Sequence, residues 1–462
     1  LLVLGLVFTA CTDLEVEEVE SVVIEDEAGG FSGDAGALLE TAYNQLGALT
    51  AQQNTYSLLV HTSDEMIPPT RGTDWGDNGV WRLLHSHNWD PTHQYILDAW
   101  NELNSRVFTT NQVLASTNPA PNPQQTAEAK FLRAFYMWHV MDLYGLVPFR
   151  EVNEGVDVDP RVLSRAEAFD FIVRDLEEAL PDLPTAGPSA TNDRASQAAA
   201  NALLARLYLN RGVYNATVNE QGALSPTFDQ ADMTRVIEHA DAVIADGYTL
   251  EENYYNNFST NAQSELILVN AEGAKFEDGD VRKGVAATPD GSDFSGIGRG
   301  FLVGQQFNDN GEPITNSRSN SPLVYEPDVP LIGADTDDGY RAIKYHPEDK
   351  GRYVQLRYGD VHLMKAEALL RNGQNAEALA MVNELRAVRG ASPLASLDEA
   401  SMLDERGREL YWEGTRRIDQ IRFGTFADTW AEKTTTAPFR IIYPIPQQAI
   451  DSNPNLEQNP GY

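Results

Sequence analysis

The chain has 462 residues, 42% of them apolar, with 34 glycines, 24 prolines and a single cysteine; it can bury a sizeable core, and a fibrous, disordered or disulfide-framed protein is excluded. By length it could hold about three domains, or one long helical repeat array. Its 34 basic against 69 acidic residues leave a formal net charge of -35, which repels phosphate backbones and anionic headgroups and excludes nucleic acid as a partner.

In chain order, the first element is the apolar run "LLVLGLVFTAC", which stops on Thr9-Ala10-Cys11 and is too short to span a bilayer. It resembles a secretory core ending in a bacterial lipobox, with Cys11 as the lipidated residue; the missing Met and basic leader point to a truncated start. The alternative is a buried cysteine after an apolar strand, with no second cysteine to pair with. Thr12 to Gly30 is acid-rich and suits a solvated tether.

Helical periodicity then dominates. Trp100 shares an apolar stripe with Ile96, Leu103 and Val107 and is expected in the core. Hairpin-like helix pairs are predicted at Gln124–Gly145 with Ser164–Pro184, and at Ser196–Gly212 with Asp232–Gly247; Ser164 and Glu167 carry a capping-box signature. The clearest pair spans Tyr358 to Gly390. There Val361, Met364, Ala368 and Leu369 line one helix, Asn372-Gly373 breaks it, and Ala376, Leu379, Val382 and Leu385 line the next, with small Ala366 and Ala378 at the close approach. This resembles a tetratricopeptide (TPR) unit, and several such pairs would stack into a curved scaffold.

Two stretches break the pattern, Thr62 to Pro91 and about Asn256 to Lys350, both rich in turn formers. Long loops of this kind in a compact scaffold are where ligand binding is expected. The charged stretch "LDERGRELYWEGTRRIDQIRFG", Leu403 to Gly424, reads as helix with Glu405, Glu409, Trp412 and Arg416 on one face. Glu405 is expected to pair with Arg408, and Glu413 with Arg416 or Arg417. Interleaved Leu410, Tyr411 and Ile418 make part of this network buried, which points to a structural lock.

Four segments together resemble the SusD/RagB family of outer-membrane nutrient-binding lipoproteins: "AEAKFLRAFYMWHVMDLYGLVPF" from Ala127, "RYGDVHLMKAEALLR" from Arg357, "ERGRELYWEGTRRIDQIRFG" from Glu405 and "YPIPQQAIDSNPNLEQNPGY" from Tyr443. Gly407 and Ile418 depart from the family's bulkier or aromatic residues. The resemblance implies an all-α fold of TPR-like helical hairpins with a loop-rich ligand face. It further implies a lipid-anchored, surface-exposed outer-membrane protein that delivers a glycan to a SusC-like TonB-dependent transporter, without catalysis or cofactor. Residues 1–30 would be signal and tether, and 31–462 a single domain with its scaffold at about 31–61, 92–255 and 351–425.

For the ligand, the Trp-rich segment Pro68 to Pro91 stands out. Trp75 lies among Asp74, Gly76, Asp77 and Asn78, a turn context with little apolar surface to bury an indole. A flat indole can stack on a pyranose while polar neighbours bond its hydroxyls, so Arg71, Asp74, Trp75, Asp77 and Asn78 are the first candidates. Trp81 and Trp89 read first as core anchors holding the loop, with ligand contact as the alternative, and Trp81 is kept in the candidate set. From Arg282 to Pro327, Phe301 and Tyr325 are added; Phe294, Arg299, Gln305 and Asn308 have no periodicity to select them.

Other chemistries have less support. "DTDDG" (Asp335–Gly339) and "NDNG" (Asn308–Gly311) offer oxygens but not a full calcium loop. His61, His85, His87 and His93 lack a zinc-type spacing. Asp64-Glu65 could serve a glycoside hydrolase only with an opposing carboxylate. The readings left open are glycan capture, peptide capture in the manner of RagB-like members, a surface glycoside hydrolase, and a helical scaffold without small ligand.

Overall fold

Caps set the helix starts. The protein, seen here in a computed structural model, is described over residues 23–24, 31–154, 157–216, 223–273, 300–308, 310–345 and 352–462; Cys11, Phe294 and Arg299 lie outside these. Asp34 accepts from the amides of Gly36 and Ala37 to open α1 (Ala35–Asn44). Short α2 (Thr55–Val60) and α3 (Val80–His85) follow, then the long α4 (Gln94–Ala115) and α5 (Pro123–Tyr144). The expected capping box opens α6 (Arg165–Ala179): the Glu167 amide donates to the Ser164 hydroxyl and the Ser164 amide to the Glu167 carboxylate. Next come α7 (Gln197–Tyr214) and α8 (Gln230–Ala245), and after the second loop region α9 (Tyr358–Arg371), α10 (Asn375–Val388), α11 (Glu399–Leu410), α12 (Arg416–Arg422) and α13 (Gln447–Ser452).

Neighbours in sequence are neighbours in space: α4 packs on α5, α5 on α6, α7 on α8, α8 on α9 and α9 on α10. The architecture is the all-α, TPR-like one. Helix α5 is buried almost all round, through Phe131, Leu132, Phe135, Met137, Val140 and Leu143, which is why it shows no amphipathic stripe. Trp100 is in the core, as expected. In the α9–α10 hairpin Ala366 and Ala378 are fully buried and the chain reverses at Gly373, whose φ of 77° suits a residue without Cβ. Ala376 is exposed instead of buried, so α10 seats on Ala378, Val382 and Leu385.

The loop regions hold short antiparallel ribbons that the sequence did not signal: Gly300–Leu302 pairs with Arg341–Ile343, Gly304–Gln305 with Val324–Tyr325, and Leu266–Gly273 with Arg352–Arg357. The two- and three-residue strands are too brief for a period of two to register, and the longer pair Leu266–Gly273 with Arg352–Arg357 is broken by repeated register shifts.

The charged stretch departs from the expected single helix. Helix α11 ends at Leu410, the chain turns through Trp412 (φ 60°) and Gly414 (φ 74°), and α12 begins at Arg416. Glu405 does pair with Arg408 at 3.0 Å. Glu413, however, meets Arg357 and Lys344 at 2.8 and 2.7 Å, while Arg416 goes to Asp64 and Arg417 to Asp142. The turn re-aims each side chain after Leu410, which sequence spacing alone could not anticipate.

At the centre sits Arg357, with no side-chain exposure. Its Nη1 donates to Glu265 and Glu409 at 2.8 and 2.7 Å, its Nε and Nη2 both to Glu413 at 2.8 Å, and its Nη2 also to the Glu409 carbonyl. Gly359 is needed beside it, because a Cβ there would lie 2.2 Å from the Arg357 guanidinium. Burial acts to raise the pKa of Glu265, but Arg357 and Arg389 bring it down from 4.5 to about 2. A second network joins Arg406 to Asp360 and Asp419, Arg206 to Asp360, and Arg422 to Glu367.

Truncating Arg357 to Ala would strip the shared cation from three buried carboxylates, leaving Arg389 alone to serve Glu265 and Glu409, and Lys344 alone to serve Glu413. The expected loss is about 3–5 kcal/mol in the urea unfolding free energy, and an unchanged midpoint would contradict this account. Because the folded pKa of Glu265 lies below its ordinary 4.5, its share of stability is present at neutral pH and lost as pH falls from about 4.5 towards 2.

Candidate functional site

The two loop regions, far apart in sequence, form one face. The Thr70 amide donates to the Leu331 carbonyl at 3.0 Å, and the Ala334 amide to the Thr70 carbonyl at 3.1 Å. The Arg71 guanidinium donates to the carbonyls of Asp335 and Asp338 at 3.1 and 2.8 Å. Arg318 pairs with Asp74 at 2.8 Å.

Trp75 occupies the left-handed region with φ 59°, and Asn78 likewise with φ 55°, conformations that cost free energy for residues other than glycine and cluster at functional sites. The Trp75 ring sits edge-on against Trp81 with centroids 5.0 Å apart, and 6.0 Å from His61. It is half-buried rather than fully exposed. Trp81 is a correction to the candidate set: it is 1% exposed and its Nε1 donates to the Asp77 carboxylate at 2.6 Å. An indole without free surface cannot stack on a ligand, so Trp81 supports Trp75 from beneath, with Tyr95 packed 4.8 Å away. Trp89 is likewise buried, and its Nε1 donates to the Tyr462 hydroxyl.

Arg71 also has a structural role. With its guanidinium bound to two carbonyls it stitches the loops, and burial, with Arg341 nearby, lowers its pKa from 12.5 to about 10. Asp74, Asp77 and Asn78 stay on the surface around Trp75. Phe301 is 51% exposed with its ring 5.2 Å from Tyr411; Tyr325 is half-buried under Arg341, whose guanidinium lies 4.8 Å from the ring centre.

Sequence reasoning missed three aromatic groups here. Tyr340 is 55% exposed at the end of the ribbon that carries Phe301. Tyr411 and Trp412 come from the turn after α11; Trp412 Nε1 donates to the Glu65 carbonyl at 3.3 Å. Their only sequence signal was an aromatic pair inside a stretch read as continuous helix. Lys344 is fully buried below, its ammonium 4.0 Å from the Tyr411 ring centre and 2.7 Å from Glu413, and burial lowers its pKa to about 8. Beside it Glu65, its two carboxylate oxygens buried with no hydrogen-bond partner among the described residues, is pushed up to about 8 by burial.

The catalytic and metal alternatives gain little. Asp64 is held in a fork by Arg416 at 2.7 and 2.8 Å. Asn308 turns its side-chain oxygen onto the amides of Asn310 and Glu312, closing its own loop. Among the described residues no group of three potential ligands could hold a metal ion, and no helix is long and apolar enough to cross a membrane. The histidines are anchors: His87 bonds the Thr62 carbonyl at 2.8 Å and stacks on Phe426, and His85 lies between the carbonyls of Met66 and Ala431.

Two family models match the chain: one described as the SusD family over residues 247–462, and one described as starch-binding, associating with the outer membrane, over 26–209. The chain is 27% identical to the starch-binding protein SusD of Bacteroides thetaiotaomicron, over 84% of this chain and 82% of that one. It is 24% identical to the SusD-like protein P38 of Formosa agariphila, over 99% and 96%. Among solved structures it superposes on a laminarin-binding SusD-like protein with TM-score 0.67 at 23% identity, covering 93% and 99%. It superposes on the surface glycan-binding protein A of Bacteroides thetaiotaomicron, in complex with laminarihexaose, with TM-score 0.64 at 18% identity, covering 92% and 99%.

Burial lowers His61 to about 3 and His87 to about 2, from 6.5. These rings are neutral in the fold and take up protons when it opens below pH 6.5, so their stability contribution is full above that pH and is lost as pH falls towards 3. The slope is about 1.4 kcal/mol per unit for each ring. Melting temperature measured between pH 7.5 and 5 should fall less steeply in His87→Gln than in the wild type; parallel curves would remove His87 from this role.

Proposed function

Because the chain belongs to the SusD family, we propose that it is a cell-surface glycan-binding protein that captures an oligo- or polysaccharide on the face joining 62–91 to 300–345. It passes the glycan to a SusC-like TonB-dependent outer-membrane transporter. The observation that carries this reading is Trp75: a half-buried indole held in left-handed backbone on a buried Trp81, with Asp74, Asp77 and Asn78 around it. An aromatic face edged by hydrogen-bonding groups suits a sugar ring, which has apolar faces and a polar rim. Phe301 and Tyr340, both more than half exposed, extend the aromatic surface. A relative named for starch binding and solved neighbours titled for laminarin and laminarihexaose support the same ligand class.

Cys11 is the proposed lipid attachment, with residues 12–30 as tether and 31–462 as one domain. The protein binds without catalysis. Peptide capture is the second reading; the clustered aromatic rings favour sugar over it, since a peptide site draws more on backbone-pairing groups.

Affinity electrophoresis against a panel of polysaccharides tests the proposal: retarded migration without release of reducing ends is expected, and new reducing ends would instead reveal a hydrolase. Trp75→Ala should weaken glycan binding by about 1–3 kcal/mol in calorimetry while the far-ultraviolet dichroism is retained. Full affinity in that variant would move the site elsewhere.

A further inference from the structure

We propose that this face selects uncharged glycans and rejects sulfated or uronate-rich ones, an inference that rests on the glycan-binding reading of the same site. Sulfate and carboxylate groups are recognised by cations with free donors, typically a forked guanidinium. Every described cation of the two loop regions is already engaged within the protein. Arg71 is bonded to the carbonyls of Asp335 and Asp338, and Arg82 to the Thr70 hydroxyl at 2.7 Å. Arg341 donates to the carbonyls of Thr336, Asp338 and Gly339 and covers Tyr325. Lys344 is sealed beneath Tyr411. Among the described residues of the two loops, the one strongly exposed guanidinium, Arg318, is paired with Asp74, the residue before Trp75.

Carbonyl acceptors occupy the donors of Arg71 and Arg341 but leave their charge in place, so what these residues deny an anionic group is a free donor fork. The acids, by contrast, are in excess and open. Residues 62–91 carry five acidic and two basic residues, and 300–345 seven and three. Asp77, Glu326, Asp328 and Asp335 pair with no described cation and lie exposed. Within a Debye length of about 10 Å at 0.1 M salt, such carboxylates repel an anionic chain, whereas hydroxyls of a neutral one can donate to them. Asp74 is thereby a specificity residue twice over, as an acceptor for hydroxyls and as the group that silences Arg318.

The test uses matched ligand pairs that differ only in charge, such as laminarin and its sulfated derivative or starch and carboxymethyl starch, with the full chain on affinity gels and in calorimetry at 50 mM and 500 mM salt. The neutral member should bind at least tenfold more tightly at low salt, and the gap should shrink at high salt. Asp74→Asn, which frees Arg318, should narrow the gap by raising affinity for the charged member, and Asp74→Asn with Arg318→Gln should restore it. Equal or tighter binding of the sulfated or carboxymethyl member by the wild type overturns the selectivity while leaving glycan capture standing. A gap indifferent to both salt and Asp74→Asn also overturns it. Binding of peptides but of neither member of any pair would instead sink the glycan reading and the selectivity with it.

Discussion

A buried guanidinium that must satisfy three carboxylates governs the rest of this molecule. Arg357 closes the strand that leads into α9, and its partners come from Glu265 just ahead of the strand Leu266–Gly273, the end of α11 at Glu409 and the turn at Glu413. A charge removed from water is tolerated only where its counter-charges are held in place, so these four pieces of chain have little freedom relative to one another. Glu413 then passes the constraint outward: it also binds Lys344, which lies under Tyr411 at the edge of the ligand face. Scaffold and loops are thus joined by ionic geometry as much as by apolar packing.

The same economy shapes the surface. Arg106, Arg133, Arg206, Arg406, Arg417 and Arg422 are buried with Arg357, and buried acids such as Asp142, Asp175, Glu265, Asp360, Glu367 and Asp419 match them, so the interior is close to neutral and the acidic excess faces water. Most of the net charge of -35 is therefore carried outside that interior. Solubility follows from this.

The helical scaffold was legible because its cues are local. Ser164 and Glu167 announce a capping box, Asn372-Gly373 a reversal, and the paired alanines of α9 and α10 a close contact, each within a few residues of the others. The family motifs added the order of the whole. What could not be read was long-range: that Arg71 would reach Asp335 and Asp338, that Glu413 would turn away from Arg416 towards Arg357, or that Tyr340 would emerge at the end of the ribbon that carries Phe301. Trp81 shows the boundary well. Its sequence context read first as a core anchor with ligand contact as the alternative, and only three-dimensional packing decides between them, closing this indole off and leaving part of Trp75, six residues earlier, open. Ala376 failed for the opposite reason, since helical spacing predicts a face but not where the neighbouring helix stops covering it.

The seam between the two loops is written mostly in main chain. Thr70, Leu331 and Ala334 meet through amides and carbonyls, and Arg71 clasps carbonyl oxygens instead of side chains. Such a seam is nearly indifferent to which side chains its residues carry. Descendants of this chain can therefore exchange exposed groups such as Thr73, Asp77 and Asp335 one at a time, trying new diets, without reopening the joint that presents them, while Gly72 and Gly339 are held by their positive φ of 56° and 83°.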